Sequence, residues 1–144
     1  MFINRRIQKE YLALAHGHVP KKGEINTPLQ ENKGKRMLSA ATSYKTLEQF
    51  EDETIPFSLV LLRPKTGRYH QIRRHLKSIG HPIIGDEKYG IKSVNEFFAK
   101  HYGITRTLLC ASKLSLPQFG PNRPTTYETK PDSDFLNVLN SCSG

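Results

Sequence analysis

Ile72, His75, Leu76 and Ile79 recur at i, i+3, i+4 and i+7, the spacing that puts four side chains on one face of an α-helix. The stripe predicts a helix from about His70 to Ile79 with one buried face, and Gly80 stops it. A different period governs "KEYLALAHG", where Tyr11, Ala13 and Ala15 alternate against Leu12 and Leu14. This is a strand with both faces covered, ended by Gly17. Residues 18–40 hold three Gly/Pro-marked turns and read as a loop-rich hairpin carrying Lys21, Lys22, Lys33, Lys35 and Arg36. "ATSYKTLEQF" and "FSLVLLRP" are strand-like, split by the Pro-containing turn "EDETIP". A second helix is expected around "VNEFFAKHYG", ending at Gly103. Strands follow at "LLCASKLSL" and "TTYETK", then a closing helix with Ser133 or Asp134 near its N-cap. The class is α+β, with a mixed, largely antiparallel sheet flanked by helices, in one domain of 144 residues.

Charge narrows the function. The chain carries a net +9 at pH 7, which favours polyanionic partners. From Thr54 to Gly85 there is no acidic residue, while Arg63, Lys65, Arg68, Arg73, Arg74 and Lys77 all lie in that window. A solvated charged face usually mixes signs, and this one does not. With the apolar stripe facing inward, Arg74 and Lys77 project away together toward solvent or a polyanion. Arg73 lies at the flank of the stripe beside Ile72, and a guanidinium there needs an anion because burying it alone is costly. Gly, Pro, His and Gln interrupt the charge, so nucleic acid is favoured over a membrane-surface helix.

Other chemistries find no support. No apolar run reaches the roughly 18–20 residues that cross a bilayer. "MFINRRIQKEYLALAHG" has no secretory pattern, so the expected location is the cytoplasm. Cys110 and Cys142 lack CxxC spacing and read as free thiols, Cys110 within an apolar strand. His70 and His75 are five apart, about 140° around a helix, and cannot share a metal. "GDEKYG" lacks the GK[ST] of a phosphate loop; Gly80, Gly85 and Gly90 read instead as turn glycines with positive φ. No GxSxG is present, and Cys110 has no basic neighbour to make it a thiolate.

The spacing of "TGRYHQIRRHLKSIGHPIIGDEKYG" resembles the TGRxHQIRxHL–GHPIxGDxxYG block of RluA-type pseudouridine synthases. "FINRRIQKEYLALAHG" resembles their F…V.K.YLALV.G segment, and "LLCASKLSL" stands where they have an LLHAxxL strand. The doubled "RRHLK" and "NEFFAKHYGITRTLLCASKLSL" are closest to the subgroup called tRNA pseudouridine synthase C. The resemblance covers about residues 2–119. It implies isomerisation of uridine to pseudouridine in RNA, with tRNA as the expected substrate and no metal or organic cofactor. An Asp nucleophile opens the glycosidic bond, the uracil rotates, and a C–C bond replaces the C–N bond. By the same resemblance Tyr11 stacks on the flipped base and is a candidate for handling the C5 proton. Arg73 matches the arginine that pairs with the catalytic Asp. Arg68, His70, Gln71, Arg74 and Lys77 are the expected RNA contacts.

Two departures accompany the match. Cys110 replaces the histidine of LLHA, and the HRLDRxTSG motif that holds the nucleophile is absent. The 144 residues therefore resemble the C-terminal two-thirds of a catalytic domain, and the carboxylate expected opposite Arg73 is missing. The expectation is a monomeric RNA pseudouridine synthase without membrane association, represented by a truncated chain. The alternative is a non-catalytic RNA-binding remnant or pseudoenzyme.

Overall fold

In the structure, a computed structural model, residues 8–116, 125–128 and 133–142 are described. Eight strands and three helices follow one another along them: β1 (Gln8–His16), β2 (Lys22–Ile25), β3 (Leu29–Gln30), β4 (Met37–Leu38), β5 (Thr42–Asp52), β6 (Ile55–Pro64), α1 (Gln71–Ser78), α2 (Lys92–Tyr102), β7 (Leu109–Leu116), β8 (Thr125–Glu128) and α3 (Ser133–Cys142). Six strands form one sheet in the order β2-β5-β6-β1-β7-β8, and β3 and β4 pair separately. Every described pairing is antiparallel, in keeping with the largely antiparallel sheet expected. The described helices begin and end within a few residues of the periodic segments. Gly103, in the left-handed conformation, ends α2.

Alternation along β1 divides the core in two. Tyr11, Ala13 and Ala15 face one side with Val60, Leu62 and Ile83, where Ile72 and Leu76 of α1 pack. Leu12 and Leu14 face the other, with Phe57, Phe98 of α2, and Phe135 and Val138 of α3. Phe57 stacks on Phe50 at 5.0 Å and meets Phe98 edge-on at 5.3 Å. Each such fully buried side chain contributes roughly 1.5–3 kcal/mol. The small alanines on the α1 side leave room for the helix to lie close to the sheet. Cys110, expected inside its strand, is half-buried against the Phe-rich half.

The β5–β6 turn is tighter than the sequence suggests. Asp52 pairs with Ile55, so only Glu53 and Thr54 turn the chain, and Pro56 lies within β6 opposite Glu51. Both turn residues have positive φ, 45° and 74°, as the tightest hairpins require, but neither is the Asn or Gly that tolerates it. Replacing Glu53-Thr54 with Asn-Gly is expected to stabilise the fold by about 1 kcal/mol, read as a rise in the urea midpoint at constant m-value.

Gly85 has the positive φ expected of it, 88°, and a Cβ there would lie 2.0 Å from the Arg106 carbonyl oxygen. Gly90 does not have positive φ. Its constraint is contact, since a Cβ would approach the Asp86 carbonyl oxygen to 2.3 Å.

Candidate active site

A cavity of about 690 Å³ opens between β1, the end of β6 and the start of α1, lined among others by Lys9, Tyr11, Arg68, His70, Gln71 and Arg73. Tyr11 reaches it because β1 alternates: Lys9 and Tyr11 point to the α1 side, while Glu10 points away and pairs with Arg63. The β1–β7 register shifts at this point. Glu10 opposes Lys113 and Tyr11 opposes Ala111, leaving Ser112 as an extra residue on β7. Bulges of this kind are common beside functional sites, where they set the aim of a side chain.

Arg73 sits on the cavity wall and is already paired. Its Nε donates to Asp86 Oδ2 at 2.8 Å and its Nη2 to Oδ1 at 2.9 Å. This corrects the expectation that the carboxylate for Arg73 is missing from the sequence: "GHPIIGD" turns the chain back beneath α1 and delivers Asp86. Asp86 has no exposed surface, and its Oδ1 also accepts the backbone N–H groups of Lys88 and Tyr89, both at 3.0 Å. Burial pushes the Asp86 carboxyl upward. Arg73 and the two N–H groups outweigh that, and its pKa lies below the ordinary carboxylate value. The hydrogen bonds to Asp86 in turn raise the pKa of Arg73.

Tyr89, which the sequence reading did not single out, touches three parts of this arrangement. Its N–H holds Asp86, its ring lies 5.1 Å from the Arg73 guanidinium carbon, and its hydroxyl meets His70 Nδ1 at 3.1 Å. The available signal was position: Asp86 ends the acid-free run, with Tyr89 three residues on. His70, the residue before α1, is left-handed with φ 48° and has its pKa lowered by burial, then by Arg73 and Lys88.

Gln71 does not project outward as an RNA contact should. It is buried, and its amide is engaged inside the protein. Its Nε2 donates to the Ala41 carbonyl at 2.9 Å and to Thr42 Oγ1 at 2.8 Å; its Oε1 accepts Thr66 Oγ1 at 2.6 Å and the Arg68 N–H at 3.0 Å. The network continues through His75, whose Nδ1 meets Thr42 Oγ1 and whose Nε2 meets the Thr27 carbonyl, both at 2.8 Å. A carbonyl only accepts, so Nε2 carries the proton and Nδ1 accepts from Thr42. Burial lowers the His75 pKa, consistent with this neutral form. Gln71 is thus a positioning residue for the turn that carries Arg68.

Of the remaining expected RNA contacts, Arg74 faces outward and is also tied to the protein. It donates from Nε to the Tyr69 carbonyl and from Nη1 to the Gln30 carbonyl, each at 2.9 Å, tying α1 to β3. Arg68 lines the cavity with its Nε on the Ser39 carbonyl at 2.7 Å. Lys77 is exposed. Lys65, also at the cavity, is paired with Glu24. None of the lining residues is acidic. The site thus presents a tyrosine, a guanidinium fixed by Asp86, and Lys9 and Arg68, which form no ion pair among the described residues, an arrangement suited to a planar polyanionic ligand. Among the described residues no helix is long and apolar enough to cross a membrane.

Residues 1–78 match the family described as RNA pseudouridylate synthase. The tRNA pseudouridine synthase C of Haemophilus ducreyi is 38% identical over 78% of this chain and 53% of its own length. That of Yersinia pestis is 38% identical over 88% of this chain and 54% of its own. The chain thus spans little more than half the length of these two relatives. The solved structure of human RNA Pseudouridylate Synthase Domain Containing 1 superposes with a TM-score of 0.69 at 26% identity, over 97% of this chain and 68% of that one. Human RNA Pseudouridylate Synthase Domain Containing 4, at 24% identity over 96% of this chain and 63% of its own, shares the fold with a TM-score of 0.71. With more than half of its residues inside the family match, and with Tyr11 and Arg73 facing one cavity, the chain belongs to the RNA pseudouridylate synthase family.

Proposed function

We propose that this chain provides the uridine-binding part of an RNA pseudouridine synthase, with tRNA as substrate and neither metal nor organic cofactor. The observation that carries the reading is the convergence of Tyr11 and Arg73 on one cation-rimmed cavity. In this account the target uridine leaves the RNA stack, and Tyr11 partly replaces the lost stacking. Arg73, fixed by Asp86, presents a rigid cationic edge to the pocket, while Arg68 and Lys77 meet the phosphates with Lys9. The tRNA-named relatives support the substrate class. In this account the chain is a monomer and acts in the cytoplasm.

The chemical step needs a carboxylate nucleophile, and the lining residues contain none. Asp86 is not a substitute, being fully buried and bound in both oxygens. A second reading is an RNA-binding chain without chemistry of its own. A tritium-release assay on unmodified tRNA separates the two. These 144 residues alone are expected to release no tritium while still binding RNA, and turnover would sink that expectation. In a chain extended with an HRLDRxTSG segment, Arg73→Ala is expected to lower kcat far more than Arg74→Ala. Equal modest losses would reduce α1 to a source of charge.

A further inference from the structure

Tyr69 stands just outside the cavity and has no role in the reading so far. It is 39% exposed, and among the described residues it is the one aromatic side chain of the large apolar ones that stand open to solvent. Its ring stacks on His70 with centroids 3.7 Å apart and planes 25° apart. His70 forms part of the cavity wall, so Tyr69 is one ring removed from the space proposed for the target base. Tyr89 meets His70 edge-on at 5.7 Å. The Lys88 ammonium lies 5.4 Å from the ring centres of both Tyr69 and Tyr89, and the Arg74 guanidinium lies 5.8 Å from that of Tyr69. Lys88 is exposed and forms no ion pair among the described residues.

This surface is held in place at a cost. His70 is a non-glycine residue in left-handed conformation, a strain of about 1–3 kcal/mol that persists only where surrounding contacts impose it. Here they include the Tyr89 hydroxyl on Nδ1 and the Arg74 bond to the Tyr69 carbonyl. An exposed ring fixed beside unpaired charge does not suit an apolar protein surface, which would strip water from Lys88 without replacing it. A nucleotide offers both a ring to stack and a phosphate for the cation.

We infer that Tyr69 and Lys88 form a stacking subsite for a second unpaired nucleobase of single-stranded RNA, next to the one proposed for the cavity. The inference rests on the RNA reading above, and the test separates the two. Binding of a fluorescein-labelled octauridylate is measured by anisotropy for the wild-type chain and for Tyr69→Phe, Tyr69→Leu and Tyr69→Ala, with circular dichroism confirming each fold. Stacking predicts near wild-type affinity for Tyr69→Phe and a loss of about 5- to 100-fold for both Tyr69→Leu and Tyr69→Ala. A single abasic nucleotide, moved along the probe, abolishes the difference between wild type and Tyr69→Ala at one position. Lys88→Gln lowers the slope of log affinity against log salt by about 0.7, whereas Tyr69→Leu leaves it unchanged. Equal affinities across the Tyr69 series overturn the subsite alone, as does a loss in Tyr69→Phe matching that in Tyr69→Ala. Failure of the wild-type chain to bind the probe overturns both the subsite and the RNA reading.

Discussion

Arg73→Ala is expected to destabilise the fold by about 3–5 kcal/mol, the usual cost of leaving one member of a buried pair alone. The cost falls on Asp86, which has no exposed surface and loses its strongest partner. Asp86→Ala is expected to cost less, because Arg73 retains 23% side-chain exposure and can turn to water. The two substitutions together are therefore expected to cost less than the sum of their separate effects, and denaturant unfolding of the four chains measures the difference. The pH profile gives an independent check. In the wild-type chain the Asp86 pKa is below its unfolded value. Its stabilising contribution is complete above the ordinary carboxylate range, near pH 4–5, and is lost as pH falls through the folded value. Without Arg73 the folded pKa rises toward the unfolded value, so the stability lost on acidification becomes smaller. Identical acid profiles for the wild-type and Arg73→Ala chains would show that the pair contributes nothing to the fold.

Gln71→Leu is the second large effect, and it removes no charge. It leaves the Arg68 N–H, the Ala41 carbonyl and the hydroxyls of Thr42 and Thr66 without their amide partner. With some of these groups able to find water, the expected loss is about 2–4 kcal/mol. The turn over residues 65–68 is expected to loosen, seen as faster amide exchange at Arg68, and RNA affinity is expected to fall with it. Unchanged exchange at Arg68 together with reduced affinity would instead make Gln71 a direct contact.

These two residues mark where the sequence could be read and where it could not. The 2-residue alternation of β1 and the 3.6-residue stripe of α1 are local, and each placed its element within a few residues. Arg73 was recognised as too near the core to be merely solvated, but its partner lies 13 residues away. Spacing carries no information on which acid a turn will return beneath a helix. Asp86 lies in the loop after α1, and nothing local marks it as the partner of Arg73. Gln71 stands four residues before His75, so the spacing that buried one buries the other. Its polarity, beside so many cations, masked that. Arg74 faces outward as the helical wheel requires, yet the Gln30 carbonyl that it meets belongs to a hairpin 44 residues earlier. Tyr89 meets His70 and Arg73 from 19 and 16 residues away, contacts for which no linear pattern exists.

The shift at Glu10/Tyr11 has an architectural consequence. The extra residue, Ser112, belongs to β7, and its hydroxyl donates to the Glu10 carbonyl at 3.3 Å. Toward β6, β1 keeps an unbroken register from Tyr11↔Leu62 to His16↔Phe57. Tyr11 is therefore aligned by one neighbouring strand, while the other takes up the mismatch as slack. A lineage could lengthen, shorten or rebuild the chain beyond β7, altering what surrounds the cavity, without turning the tyrosine ring away from it.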